Sequence, residues 1–376
     1  MVCWKTRGSS WSMRRRSVAA CRGAPRRGRG CERSRHPGGC GLCSRAMKTV
    51  QFSRLGEPAD VLEVQEVPTP APGPGQVRVR LTARAIHPSD LMNVRGLYGR
   101  PPPLPFCPGN DAAGTVDAVG PEVKGFKVGD RVMLLLGATG GRGTWMEQVV
   151  VPAQMLVPTP AALSDAQAGA LWVNYLSIWV MAVELLQVPQ GGLLLQTAAG
   201  SQLGRAMMEL ARLRGFGLVN VVRRREQAEE LKALGAENVV CTADERLPER
   251  VRALTGGKGV HWAIDAVGGT TGAQVVESLA VGGRCLLFGA LDGRAISLEP
   301  GPVLFKELVI QGFWLTRWLQ ATPPERVRPV LETIIGHAVR GDFKPAIDQS
   351  FPLAQVKEAV VRAETPGRTG SVVLVP

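Results

Sequence analysis

Hydrophobic and polar residues follow different patterns in two parts of the chain. Between residues 47 and 163 the apolar runs are short, and Pro and Gly interrupt them often, which predicts an all-β module. The strands predicted there are 61–67, 77–83, 113–119, 131–136 and 146–150. Between residues 166 and 315 apolar strands alternate with helical stretches, a pattern typical of a doubly wound parallel α/β sheet.

The alternating part contains a glycine-bearing turn between a strand and a helix. The predicted strand 193–196 leads through Gly200 and Gly204 into a predicted helix, 205–214, and a second strand, 218–222, follows. In a dinucleotide-binding βαβ unit the amino end of this helix holds the pyrophosphate. The candidate cofactor contacts in the turn are Gly200, Ser201, Gln202 and Leu203.

Three arginines, Arg223, Arg224 and Arg225, follow the second strand. NAD enzymes place a carboxylate here that accepts from the adenosine ribose, whereas an arginine forks onto the 2′-phosphate of NADP. Because three glutamates follow closely, a solvated charge run is the alternative interpretation. That alternative does not explain why the cations end an apolar strand. The sequence therefore predicts NADPH as the cofactor.

The pattern continues to the carboxyl end of the chain. The further predicted helices are 226–234, 247–254, 273–279 and 324–340. The further predicted strands are 239–240, 261–266, 284–289, 307–315, 346–352 and 371–375. We expect the last two strands to return to the β module.

The net charge of +13 is concentrated at the amino end. Residues 1–46 hold twelve of the 45 Lys and Arg but one of the 32 acidic residues, so the rest of the chain is close to neutral. A near-neutral body gives no electrostatic basis for binding nucleic acid or an anionic membrane. Five of the eight cysteines also lie in residues 1–46, and the three widely spaced thiols of the body suit a reducing compartment.

Residues 1–46, the basic leader, have three interpretations. An Arg-rich, acid-poor start resembles a mitochondrial transit peptide. The second interpretation is a basic tail that contacts nucleic acid, and the third is that the protein begins at Met47. Because the Gly, Cys and Pro content shows no amphipathic helix, we favour the third, with the leader unstructured. We therefore expect a cytoplasmic protein, or one of the mitochondrial matrix if the leader is a transit peptide.

Several motifs resemble the medium-chain dehydrogenase/reductase superfamily, in its zinc-free branch, over nearly all of residues 47–376. Residues 125–132 look like the GxxxGDRV turn and strand of that superfamily. Three segments are similar to enoyl thioester reductases of the mitochondrial 2-enoyl-CoA/ACP type: 87–90 leading to 96–99, 220–223, and 305–306 leading to 312–318. Quinone oxidoreductases and alkenal reductases share much of the first segment.

This resemblance implies two domains with the active site in the cleft between them. The GroES-like catalytic domain would comprise residues 47–165 and 317–376, and the Rossmann NADPH-binding domain residues 166–316. The family's proton donor corresponds to Tyr98, whose phenol, with an ordinary pKa of about 10, stays protonated at pH 7. A phenol at that point stabilises the charge that develops on the carbonyl oxygen of an enoyl thioester.

The resemblance also implies cofactor contacts outside the glycine turn. Asn174 corresponds to a contact near the nicotinamide; a helix-interior amide that faces a backbone carbonyl is the alternative. The other implied contacts are Phe288, Gly289, Ala290, Leu291, Phe313, Trp314 and Leu315. For Phe313 core packing is the alternative, and for Tyr98 it is a turn tyrosine.

No metal is expected. Where zinc alcohol dehydrogenases of the superfamily carry a cysteine ligand this chain has His87, and their Gly-His-Glu position is Gly109-Asn110-Asp111 here. A catalytic zinc needs three N, S or O ligands and an open fourth position. His87 is therefore interpreted as a structural or substrate-lining residue.

The sequence thus predicts NADPH-dependent reduction of the C=C bond of trans-2-enoyl thioesters, carried by CoA or ACP. An NADPH:quinone oxidoreductase or alkenal reductase is the alternative. A nucleic-acid-binding or crystallin-like protein without useful turnover is a third hypothesis, against which Tyr98 argues. The expected partners are a small-molecule or carrier-linked enoyl thioester and a second copy of the chain, with neither nucleic acid nor membrane.

An uncharged stretch at 166–183 contains several polar residues, which predicts a buried helix.

Overall fold

The computed structural model describes residues 46–376, and the predictions for the leader lie outside the described residues except at Ala46. The strands are β1 (Ala46–Gln51), β2 (Glu63–Pro68), β3 (Gln76–Ala85), β4 (Ala113–Val119), β5 (Arg131–Leu134), β6 (Gln148–Pro152), β7 (Leu156–Pro158), β8 (Leu193–Gln196), β9 (Gly217–Val222), β10 (Asn238–Cys241), β11 (Val260–Asp265), β12 (Leu279–Leu287), β13 (Val309–Gly312), β14 (Ile347–Pro352) and β15 (Ser371–Val375).

The α-helices are α1 (Pro58–Val61), α2 (Pro88–Val94), α3 (Asp165–Ala168), α4 (Trp172–Trp179), α5 (Gln202–Arg214), α6 (Arg225–Ala233), α7 (Leu247–Leu254), α8 (Gly269–Glu277), α9 (Pro300–Phe305), α10 (Leu315–Ala321), α11 (Pro324–Arg340) and α12 (Val356–Glu364). A π-helical segment, Val180–Leu185, continues α4.

The β module is built around one seven-stranded sheet in the order β14-β15-β3-β4-β5-β7, and β6 pairs with residues 76–80 of β3 on the edge opposite β4. Alternate residues of β3, among them Val77, Val79 and Leu81, are fully buried in its core. The last strand, β15, pairs antiparallel with β3, so the carboxyl end of the chain returns to this sheet.

The second sheet is parallel and has six strands in the order β10-β9-β8-β11-β12-β13. Counted from β8 this is the doubly wound order 3-2-1-4-5-6, in which ligands bind at the carboxyl ends of the strands. The fold class is therefore α/β as predicted, with a parallel Rossmann sheet and a separate β sheet.

Local sequence explains where several elements begin and end. The Ser201 hydroxyl accepts the N–H of Gly204 at 3.1 Å and begins α5. The same helix ends at Gly215, whose φ of 71° lies in the left-handed region. The observed bounds of β4, α7, α11 and β15 coincide with the predicted ones.

Two predicted strands differ from the observed ones by more than two residues at an end. β12 starts five residues before the predicted residue 284. The sequence suggests a turn around Gly282, but this residue, at φ 70°, lets the strand continue through an irregularity in its pairing. The predicted strand 307–315 divides into β13 and the start of α10, since a short apolar run does not distinguish strand from helix.

The uncharged stretch 166–183 is largely buried and lies mostly in α4 and the π-helical segment. Across the described part of the chain, no helix combines the length and the apolar character that a membrane span needs.

Candidate active site

The carboxyl ends of the parallel strands bring most of the predicted cofactor contacts to one edge of the sheet. The turn after β8 holds Gly200, Ser201, Gln202 and Leu203, and the segment after β9 holds Arg223, Arg224 and Arg225. The segment after β12 holds Phe288, Gly289, Ala290 and Leu291, and the one after β13 holds Phe313, Trp314 and Leu315. The sequence prediction therefore converges on one place, as a doubly wound sheet requires.

The turn after β8 leaves no room for a side chain at Gly204 and little at Gly200. A Cβ on Gly204 would lie 2.4 Å from the carbonyl oxygen of Ala199, and one on Gly200 would lie 3.2 Å from the amide nitrogen of Gln227. Ala198 adopts a φ of 51°, a left-handed conformation that is uncommon for a residue with a Cβ. The turn is therefore a cradle whose surface is backbone rather than side chain.

Polar groups without partners remain in this cradle. Gln202 and Leu203 occupy the first two positions of α5, where backbone N–H groups have no acceptor within the helix. The side-chain Oε1 of Gln202 is buried and has no hydrogen-bond partner. The amides suit a phosphate and the lone acceptor suits a hydroxyl, so these groups fit a dinucleotide.

The three arginines after β9 are not equivalent. Arg225 binds Asp244, with its Nε 2.7 Å from Oδ1, although its side chain is 78% exposed. Arg223 is exposed, and its side chain forms no hydrogen bond or ion pair within residues 46–376. Arg224 lies between them and precedes α6 as its cap residue. Arg223 is thus the arginine best placed to receive an anion.

A buried carboxylate, which the sequence analysis did not identify, fastens the loops at this edge. Asp265 is fully buried, accepts the hydroxyl of Thr197 at 2.6 Å and accepts the N–H groups of Val267 and Gly268 at 2.9 and 3.0 Å. The N–H of Phe288 binds the Asp265 carbonyl at 2.9 Å. The sequence feature that could have identified Asp265 is its position at the end of a strand of the parallel sheet.

Tyr98 comes from the β module and meets the parallel-sheet edge. The indole Nε1 of Trp314 donates to the Tyr98 hydroxyl at 2.8 Å, and the two rings stand edge to face with centroids 5.7 Å apart. A Cβ on Gly99 would lie 3.3 Å from the Trp314 ring. Since an indole donates only, the phenol oxygen accepts this bond, and the bond does not use the proton of Tyr98.

Burial, assisted by the negative charge of Asp90, raises the pKa of Tyr98, and the hydrogen bonds with Trp314 and Thr316 lower it only in part. Tyr98 therefore remains a neutral phenol at pH 7.

Asn174 lies on α4, which packs against the glycine-turn helix. It is buried, and its side-chain amide makes no hydrogen bond to the described residues. The next residue, Tyr175, donates its hydroxyl to Glu209 of α5 at 2.9 Å. The alternative of an amide bonded to a backbone carbonyl has no contact to support it.

His87 is not the isolated histidine that the sequence suggests. Its Nε2 lies 3.0 Å from Oδ2 of Asp111, and both side chains are buried. Its backbone N–H binds Oδ2 of Asp90 at 2.8 Å, and Asn110 donates to the other Asp90 oxygen at 2.6 Å. The segments 87–90 and 110–111 are therefore locked together; 24 residues separate His87 from Asp111, and nothing in the local pattern links them.

Burial changes the protonation of this cluster. Burial raises the pKa of Asp90 to about 6, against the opposing influence of His87 and the hydrogen bonds that Asp90 accepts. Burial disfavours the charged form of His87, but the hydrogen bond and charge of Asp111, with the charge of Asp90, outweigh it and raise the His87 pKa. Within residues 46–376 no group of three or more His, Cys, Asp and Glu side chains is arranged to hold a metal.

Fold and site together define a two-domain oxidoreductase scaffold. Residues 73–161 match the family described as alcohol dehydrogenase GroES-like domain, and residues 203–335 match the one described as zinc-binding dehydrogenase. The chain belongs to the medium-chain dehydrogenase/reductase superfamily.

Known proteins of two kinds are similar to the chain. The mitochondrial enoyl-[acyl-carrier-protein] reductase of Homo sapiens is 29% identical over 85% of this chain and 86% of its own length. A quinone oxidoreductase structure from Pseudomonas syringae is 31% identical, with a TM-score of 0.78 over 88% of this chain and 100% of that one. The quinone oxidoreductase of Escherichia coli, solved with NADPH, is 26% identical with a TM-score of 0.78, over 88% of this chain and 100% of that one.

Proposed function

We propose that the protein uses NADPH to reduce the C=C bond of trans-2-enoyl thioesters. The observation that carries this proposal is the Tyr98 hydroxyl, which accepts from Trp314 at 2.8 Å through its oxygen, so that this bond leaves its proton unused. The resemblance to enoyl reductases supports the thioester, and the structural similarity to an NADPH-bound quinone oxidoreductase supports the cofactor.

The residues at the parallel-sheet edge would hold the cofactor in a defined orientation. The backbone of the Gly200 turn would bind the pyrophosphate, and Arg223 the 2′-phosphate, because it is a cation without a carboxylate partner in the described structure. Phe313, Trp314 and Asn174 would surround the nicotinamide end. When bound, NADPH supplies two electrons and one hydrogen to the β-carbon of the acceptor.

Tyr98 would complete the reaction with a proton. Its O–H donates to the thioester carbonyl oxygen, where negative charge accumulates as the β-carbon is reduced. The phenol then delivers its proton to the α-carbon of the resulting enolate and regains one from water, so the carbonyl re-forms and the saturated thioester results. The Trp314 N–H stabilises the transient phenolate because a hydrogen bond to a charged acceptor is stronger than one to a neutral acceptor.

A quinone or alkenal acceptor is the second candidate, favoured by the structural similarity to quinone oxidoreductases. A quinone is already electron-poor, and solvent can protonate its product, so it depends less on Tyr98. The test is NADPH oxidation with crotonyl-CoA, a long-chain enoyl-CoA and a quinone at matched concentrations. We expect kcat/KM to be at least tenfold higher for an enoyl thioester; a preference for the quinone contradicts the proposal.

We further propose that the protein is a homodimer that pairs along β13. Within the described residues β13 is an edge strand of the parallel sheet. Large apolar side chains near it are exposed: Val281 by 67%, Phe305 by 81% and Val309 by 46%. An exposed apolar edge is a template for a second copy of the strand.

Light scattering after gel filtration tests the dimer. We expect the mass of two chains for the parent and of one chain for Val309→Lys. Val128→Lys, at a valine 63% exposed elsewhere, is the matched control and should remain dimeric. A parent with the mass of one chain contradicts the proposal.

For the compartment we propose the cytoplasm, with the mitochondrial matrix as the alternative if residues 1–46 are a transit peptide. The enoyl reductase relatives are named as mitochondrial proteins, which favours the alternative. Amino-terminal sequencing of the protein from its native cells distinguishes them, since removal of the leader together with mitochondrial fractionation contradicts the cytoplasmic proposal.

A further inference from the structure

One buried carboxylate connects the two halves of the site. Asp111 lies just before β4 and is fully buried. Its Oδ2 accepts twice at 3.0 Å, from Nε2 of His87 and from the backbone N–H of Val173. The first contact lies in the β module and the second at the start of α4. Among the hydrogen bonds of the described residues, Oδ2 of Asp111 is the single atom that binds both segments.

On the α4 side, Asp111 takes the place of a helix cap. The residue at the cap position of α4 is Leu171, whose side chain cannot accept a hydrogen bond. Helix amino ends carry N–H groups without intrahelical acceptors and favour negative charge nearby. Asp111 supplies the acceptor from a segment 62 residues away. The residue after Val173 is Asn174, so the contact fixes the backbone that carries Asn174.

On the β-module side, Asp111 holds the helix that leads to Tyr98. His87 is the cap residue of α2. After α2 the chain turns tightly, with the N–H of Gly96 bound to the Asn93 carbonyl at 3.0 Å and the N–H of Leu97 bound to the Met92 carbonyl at 2.8 Å. Tyr98 follows directly. A shift of His87 would therefore be passed along α2 to the phenol.

We propose that Asp111 is a positioning residue that sets the separation between Tyr98 and Asn174. This inference rests on the proposed function, in which the proton donor and the nicotinamide end must face one acceptor. Asp111 acts through His87 and Val173 rather than on the acceptor. A misplacement of about 1 Å at reacting groups can cost on the order of 10²-fold in rate.

Two substitutions at one position separate geometry from charge. Asp111→Asn can place its carbonyl oxygen where Oδ2 lies and keep both hydrogen bonds, while its amide replaces Oδ1, which is buried without a partner. Asp111→Ala removes both bonds. Asp117→Ala, on strand β4, which follows Asp111, but bound to Arg78 at 2.7 Å, is the matched control for loss of a carboxylate.

The first measurement is kcat per NADPH-binding site, with NADPH and with NADPH deuterated at C4, using whichever acceptor the parent reduces best. Counting binding sites by fluorescence titration removes the contribution of unfolded protein. For Asp111→Ala we expect kcat to fall roughly 10- to 100-fold, the isotope effect on kcat to rise, and KM for NADPH to change less than about threefold. Asp111→Asn and Asp117→Ala should stay within about threefold of the parent.

The second measurement needs neither cofactor nor acceptor. In the full-length protein alone, hydrogen exchange of peptides covering residues 172–176 should be faster in Asp111→Ala, while Asp111→Asn should match the parent.

Parental kcat and isotope effect in Asp111→Ala would overturn the inference while leaving the proposed function intact. Equal losses of kcat in Asp111→Asn and Asp111→Ala would also overturn it, because the charge of residue 111, rather than the geometry of its hydrogen bonds, would then be required. If the parent reduces none of the acceptors, the proposed function fails, and unchanged exchange in Asp111→Ala would refute the positioning role separately.

Discussion

The two ends of the site hold their polar groups in opposite ways. At the reactive end, Tyr98 is hydrogen-bonded to Trp314 and stands near the buried cluster of His87, Asp90 and Asp111. At the phosphate end, Arg223 is exposed and makes no contact with a carboxylate among the described residues. Buried groups act through fixed geometry and shifted proton affinity, whereas exposed cations act through charge that salt screens.

This difference teaches what each end can tolerate. Changing one atom at the reactive end should alter rate or pH dependence and leave cofactor affinity unchanged. Changing a charge at the phosphate end should alter affinity and leave the chemical step unchanged. Three predictions test this separation, beginning with the largest effect.

Tyr98→Phe removes only the hydroxyl that Trp314 contacts. We expect kcat for crotonyl-CoA to fall by about 10²- to 10⁴-fold, because a positioned proton donor is lost, while the NADPH dissociation constant stays within twofold. Steady-state kinetics and fluorescence titration provide the two measurements. Tyr175→Phe makes the same chemical change at the other tyrosine, which binds Glu209, and should keep parental kcat. A parental rate in Tyr98→Phe would move the quinone reductase hypothesis ahead.

Asp90→Asn should change how stability depends on pH. Because the folded pKa of Asp90, about 6, exceeds the unfolded value, its contribution is fully present below about pH 4 and is lost as pH rises through 6. The variant, compared with the parent, should therefore gain on the order of 2–3 kcal/mol in unfolding free energy between pH 4 and pH 7. The groups that act on the Asp90 carboxyl are His87, Asn110 and Asp111. Their contacts with it determine the difference in unfolding free energy between variant and parent that does not change with pH.

Urea unfolding at several pH values measures this difference. Asp130→Asn provides a control of opposite sign, since the hydrogen bond to Lys127 lowers the pKa of that exposed carboxyl. Its contribution is present above the unfolded pKa and is lost as pH falls through the folded value. If the unfolding free energies of Asp90→Asn and the parent change with pH in parallel, burial does not raise the pKa of Asp90.

Arg223→Ala should weaken NADPH binding by about ten- to a hundredfold, equivalent to roughly 1.5–3 kcal/mol, and barely affect NADH. The 2′-phosphate is the only group that differs between the two cofactors. Titrations at low and high salt should show a smaller loss at high salt, because the arginine is exposed. Arg326→Ala, at an exposed arginine on α11, should change neither affinity. Equal losses for both cofactors would remove Arg223 from the phosphate site.

The turn of Gly200 and Gly204 was predictable because its requirements are local. A backbone cradle between a strand and a helix needs small residues at short spacing, and such spacing is visible in one segment of sequence. The convergence of four segments at one sheet edge was also predictable, since parallel strands necessarily end on the same side. The predicted roles of these residues remain predictions.

The reactive end could not be assembled in the same way. Trp314 and Tyr98 are separated by 216 residues, and the bonds of Asp111 reach 24 residues back and 62 residues forward. Such contacts depend on how the two sheets pack, and no periodicity records them.

The sequence by itself determined the alternation of strands and helices and the cations that end β9, because these depend on neighbouring residues. It also determined the near-neutral charge of the body, which is a matter of composition. Only the tertiary structure decided that the Arg225 side chain pairs with Asp244 while the Arg223 side chain has no hydrogen-bond or ion-pair partner in residues 46–376. It alone decided that a buried aspartate caps a helix from which it is distant in sequence. The physical reason is that burial and long-range hydrogen bonding arise from packing, which brings together groups that share no local pattern.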